Sequence, residues 1–96
     1  MRIIKLMPDY GCFPLWEASP DVAGNTDPRT LPLSAGLILA LDQWAKLYDS
    51  TLDPDDPRKS GFSSSEQERN FVSAGHRLSI QMQRELGSEF RVVLKI

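Results

Sequence analysis

Two side chains in this sequence have the chemistry of a nucleophile and its base: Cys12, the only thiol, and His76, the only imidazole. A thiolate mechanism also needs a group that orients the imidazole and N–H donors for the oxyanion, and no local motif around either residue supplies them. One Cys and one His fall short of the four N or S ligands of a structural zinc site. Neither GxGxxG nor GxxxxGK[ST] occurs, so there is no glycine-rich cradle for phosphate. Asp53, Asp55 and Asp56 resemble the start of a calcium loop, but counting from Asp53 puts Arg58 where the turn needs glycine and Ser64 where a bidentate Glu belongs. The expectation is a non-catalytic protein without metal or cofactor. His76 is then a surface or interface residue beside Arg77, and Cys12 a small apolar side chain covered by its loop.

The remaining chemistry suits binding. Tyr10, Phe13 and Trp16 stand among prolines and acids, a composition that serves either a self-packed loop or a recognition surface. Charge is segregated along the chain: nine acids oppose two bases between Pro8 and Pro57, whereas seven bases oppose four acids from Arg58 onward. An acidic first half repels nucleic acid and attracts a basic protein, while the same acids read equally as charges that solvate loops. Asp53, Asp55 and Asp56, with Tyr10, Phe13 and Trp16, are therefore the candidate partner-binding residues. Arg69, Arg77 and Arg84 could touch an anion, yet they recur at spacings of seven to eight and read equally well as the solvent side of a helix.

The elements that must position these groups follow from periodicity. Arg2 to Met7, rich in β-branched and apolar residues and stopped by Pro8, predicts a strand. From Pro8 to Pro32, recurrent proline and glycine predict a long proline-rich loop packed by its aromatics. Ser34 is placed to cap a helix bearing Leu37, Leu41, Trp44, Tyr48 and Leu52 on one face, with Asp42 and Lys46 spaced for an ion pair. The run Asp53-Pro54-Asp55-Asp56-Pro57 predicts an exposed turn. Ser63, Ser64 and Ser65 each precede Glu or Gln by three residues, a capping box whose register is open, and Phe71, Ala74, Leu78, Met82 and Leu86 form the stripe of a second helix ending at Gly87. Phe90, Val92, Leu94 and Ile96 alternate as a final strand.

The predicted architecture is a single α+β domain over residues 1–96, in the order β-α-α-β. An antiparallel helix pair packs on a small two-stranded sheet joining the terminal strands, so that both termini meet. The longest apolar run, Leu37 to Leu41, is far below the roughly 20 residues of a membrane span. With no secretory pattern and a lone cysteine, the expected location is the cytoplasm.

The run Arg2-Ile3-Ile4-Lys5-Leu6-Met7-Pro8-Asp9-Tyr10, then Cys12-Phe13-Pro14-Leu15-Trp16, Leu31-Pro32-Leu33-Ser34, Trp44, Tyr48, Asp49, Asp56-Pro57 and Ser60-Gly61-Phe62, resembles a group of small bacterial proteins encoded beside polymorphic toxins. That group is similar to the immunity proteins of contact-dependent growth inhibition and Rhs systems, and the likeness covers nearly the whole chain. It implies a non-catalytic protein that binds a cognate toxin domain in the cytoplasm and blocks it, with no contact residue implied. Two other classes stay open: a structural or adaptor module that self-associates through its sheet edge, and a small hydrolase using Cys12 and His76.

Overall fold

The computed structural model describes residues 1–56 and 60–96. Strand β1 (Arg2–Leu6) is followed by β2 (Leu15–Ser19), β3 (Val22–Thr26), a short 3-10 turn (Pro28–Thr30), helix α1 (Ala35–Asp49), helix α2 (Ser65–Leu86) and strand β4 (Phe90–Leu94). The sheet is four-stranded and mixed, in the order β3-β2-β1-β4. This corrects the expected two-stranded sheet and β-α-α-β order.

The difference arises within the proline-rich segment, where β2 and β3 form an antiparallel hairpin closed by Pro20 and Asp21. The prolines delimit structure here: Pro14 precedes β2, Pro20 sits in the turn and Pro28 opens the 3-10 turn capped by Asp27. Hairpins are usually flagged by glycine or asparagine in a primed turn, which requires positive φ. Among the described residues no non-glycine residue has positive φ, so this turn is of another type and carries no such signal.

β1 pairs antiparallel with β2 and parallel with β4, Arg2 facing Phe90 and Leu6 facing Leu94. The parallel pairing overturns the expectation that the termini meet, because the first and last strands start at the same end of the sheet. Parallel neighbours need a long crossover, which the hairpin and both helices provide.

Ser34 caps α1 by accepting from the Leu37 N–H, and Ser64 caps α2 by accepting from the Gln67 N–H, which settles the capping-box register. Leu52, expected on the α1 stripe, lies beyond the helix and is exposed. The helices run in opposite senses: the Ser34 N–H and hydroxyl donate to Glu85 in the last turn of α2 (2.6 and 2.9 Å), while Trp44 and Tyr48 lie against Phe71 near its start. One core joins Ile4 and Leu6 of β1, Leu15 of β2, Leu37, Leu41 and Trp44 of α1, and Phe71, Leu78, Met82 and Leu86 of α2. Trp44 stacks on Phe71 with centroids 4.4 Å apart, and its Nε1–H donates to the Phe71 carbonyl at 3.0 Å. Gly75, one turn further along α2, makes this approach possible, because a Cβ there would lie 2.9 Å from the Trp44 ring and 2.8 Å from Ile96.

Glu17 lies on the helix-facing side of the sheet and is only 8% exposed. Burial pushes its pKa up, but hydrogen bonds from Arg2 and Ser19 and the Arg2 charge outweigh that and hold it below the ordinary carboxylate value. The same guanidinium lies 5.2 Å from the centre of the Phe90 ring, tying β1, β2 and β4 at one end of the sheet.

Candidate functional site

The segment between β1 and β2 is strapped to the C-terminal end of α1. The Tyr10 ring stacks on Tyr48 at 4.6 Å, its hydroxyl shares a hydrogen bond with Thr51 Oγ1 (3.0 Å), and the Gly11 N–H donates to the Asp49 carboxylate (3.1 Å). Tyr10 is thus an anchor continuing the aromatic ladder through Tyr48 to Phe71. Asp9 Oδ1 accepts from the Tyr10 N–H (2.8 Å); burial raises the Tyr48 pKa, and the neighbouring Tyr10 and the Asp9 charge add to the shift.

Two residues beyond Thr51 the acidic turn begins. Asp53 Oδ1 accepts from the N–H groups of Asp55 (3.0 Å) and Asp56 (3.1 Å), and the Asp53 N–H donates to Ser60 Oγ (2.8 Å). The side chain of Asp53 therefore shapes the turn, and Asp55 is exposed. Pro57, expected at the close of this turn, lies outside the described residues. Thr51, bonded to Tyr10 and accepting from the Gly61 N–H (2.9 Å), joins the loop to the turn. Asp9, Asp49, Asp53, Asp55 and Asp56 thereby gather at one end of the molecule.

Phe13 stands beside this end, 40% exposed. The Asn25 side chain holds its backbone by accepting from the Phe13 N–H (3.0 Å) and donating to its carbonyl (2.7 Å). Between this loop and α1 lies a cleft of about 320 Å³ lined by Cys12, Phe13, Asn25, Asp42, Lys46 and Asp49 among others. Asp42 pairs with Arg29 and not with Lys46, the partner its spacing predicts. Arg29 also bonds Asp27, whose pKa is held low first by the Arg29 backbone N–H and then by its guanidinium.

The candidate residues thus divide. Tyr10 is brought beside the acidic turn and Phe13 to the neighbouring cleft, but Trp16 belongs to β2 and points to the face of the sheet away from the helices, opposite Lys5. Asp9, Asp42 and Asp49 join the site although their sequence context gives no sign of it. The only available hint is the seven-residue spacing of Asp42 and Asp49, which puts both on one face of α1. Cys12 lines the cleft beside α1 while His76 is exposed on α2, and among the described residues no hydrogen bond connects them. Chemically, an exposed phenyl ring beside clustered carboxylates is suited to receiving guanidinium or ammonium groups.

Among the described residues no helix is long and apolar enough to cross a membrane. A family model described as Serratia CdiI immunity protein-like matches residues 2–95. No curated protein matches the chain.

Proposed function

The chain belongs to the Serratia CdiI immunity protein-like family, and from that premise we propose that it binds a cognate toxin domain in the cytoplasm and neutralises it by occlusion, without catalysis. The supporting observation is the acidic end: Asp49 and Asp53 are held by backbone hydrogen bonds, Asp55 is exposed, and Phe13 offers an apolar contact beside them. A toxin surface rich in Lys or Arg is its complement, and such charge matching favours fast and selective association. Asp55, Asp56 and Phe13 are the direct contacts in this reading, whereas Tyr10 and Asp53 keep the surface in shape.

Co-expression of the chain with the toxin region encoded upstream tests the proposal, scored by host survival and co-purification. Rescue with a one-to-one complex is the expected result; unrelieved toxicity would sink it. A second reading, a self-associating adaptor, draws on the β3 edge. In the hairpin register the N–H and C=O groups of Ala23 and Asn25 point away from β2, open to another strand. Sedimentation of the isolated protein discriminates the two, a concentration-dependent dimer favouring the adaptor.

A further inference from the structure

Both helices pack on one face of the sheet, and among the described residues nothing covers the other. Side chains alternate along each strand, so this outer face is set by the register: Ile3 and Lys5 of β1, Trp16 and Ala18 of β2, Arg91 and Val93 of β4, with Lys95 just beyond. Lys5 stands level with Trp16 on one side and Val93 on the other, and Ile3 is level with Arg91. Ile3, Trp16 and Val93 are part-buried, whereas Arg91 and Lys95 are exposed. The pattern interleaves apolar side chains with cations, Lys5 lying between Trp16 and Val93, Arg91 on β4 and Lys95 just past its end, and Trp and Arg are the residue types that most often anchor protein interfaces.

Two details argue against a face that is merely solvated. Trp16 is held along the sheet: Met7 is level with Pro14, which has no N–H to give, and the Trp16 Nε1–H donates to the Met7 carbonyl instead (3.0 Å). The indole is thus preorganised, with little side-chain freedom to lose on contact. In addition, Lys5, Arg91 and Lys95 form no side-chain ion pair or hydrogen bond among the described residues. The one carboxylate on β2, Glu17, points to the opposite side and is taken by Arg2. A chain of net charge −2 therefore keeps an uncompensated positive face.

That face is continuous with the acidic end. The Met7 and Trp16 end of the sheet leads directly into the segment from Pro8 to Pro14, which carries Asp9 and Phe13. We propose that the outer sheet face is a second contact for the same toxin domain, receiving a patch of acidic and apolar side chains while the toxin's basic surface meets the acidic end. The inference rests on the immunity reading and adds a polarity to it: a partner lying across the loop must present both signs in the right order. Opposite charges on adjacent patches fix orientation and penalise toxins with one sign only. A nucleic acid is a poorer occupant, because a strand laid on the cations would run on toward the carboxylates at the loop.

The test measures toxin affinity and co-expression rescue for three chains: the unaltered protein, a sheet variant (Lys5→Glu, Arg91→Glu, Lys95→Glu) and a control with the same charge change on α2 (Arg69→Glu, Arg77→Glu, Arg84→Glu). Circular dichroism confirms that each is folded. The expected result is an affinity loss of at least about tenfold in the sheet variant and a change of less than about threefold in the control. Unchanged or tighter binding by the sheet variant, or an equal loss in both, overturns the second contact while leaving the immunity reading in place. Absence of any complex with the unaltered protein overturns both. Binding of a single-stranded oligonucleotide that is abolished in the sheet variant, with toxin affinity unchanged, assigns the face to nucleic acid and overturns the proposal.

Discussion

The junction of Trp44, Phe71 and Gly75 and the acidic end formed by Asp49, Asp53 and Asp55 lie at the two extremes of how this molecule uses its polar groups. At the junction every group turns inward: the indole N–H is bonded, two rings stack, and a missing Cβ makes room for them. At the acidic end, hydrogen bonds run from backbone to carboxylate and leave charge facing water. The first region holds the fold together and the second is the proposed contact surface, so substitutions in the two should separate stability from binding.

Trp44→Ala removes a buried ring and the partner of Phe71, and should lower stability by about 3–5 kcal/mol, measured by urea unfolding. A loss under about 1 kcal/mol would mean that the junction is not the keystone of the helix pair. Gly75→Ala comes next. Helix propensity alone predicts a gain of about 1 kcal/mol, yet the new methyl meets the Trp44 ring, which stacking prevents from moving, so a net loss of about 1–3 kcal/mol is expected. A more stable variant would show that the ring shifts freely.

Acid should act on a third set of groups. Glu17, Asp27 and Glu85 all titrate below their ordinary values of 4.5, 3.8 and 4.5. For Glu17 burial opposes the shift and Arg2 and Ser19 overcome it; for Asp27 and Glu85 a backbone N–H leads. A lowered folded pKa means that the unfolded chain takes up protons first. The stabilisation is thus complete above the ordinary values and is lost as pH falls through the lowered ones. Urea midpoints should be level from about pH 7 to 5 and decline below about pH 4.5; a midpoint that rises on acidification contradicts these pairings. The smallest effect on stability belongs to Asp55→Ala, within about 0.5 kcal/mol, since its exposed side chain shapes nothing in the turn. The same variant should weaken toxin binding, and equal affinity would remove Asp55 from the contact.

Both helices and the first and last strands were legible because each buries one periodic face and carries a recognisable cap or stop. The β2–β3 hairpin was not, since Pro20 and Asp21 close it without a residue of positive φ, and the prolines that bound it look like those of a loop. Pattern alone also left the β1–β4 direction open, because alternation records which face is buried and not which way the neighbour runs. The candidate site was legible in composition but not in grouping. Trp16 lies three residues from Phe13 in sequence, yet β2 carries it to the outer sheet face, while Asp9, Asp42 and Asp49 converge with Phe13 only through folding.

The parallel seating of β4 beside β1 has a consequence in time. The β2–β3 hairpin assembles from contacts near in sequence, but β1 has β4 as its second neighbour only after almost everything between them has been synthesised. Until then β1 presents a bare hydrogen-bonding edge, a template for misassembly on the ribosome. Contacts this distant along a chain also slow folding. In the proposed immunity role, protection begins only once the last strand has docked, and a chain interrupted before Phe90 would be prone to aggregate.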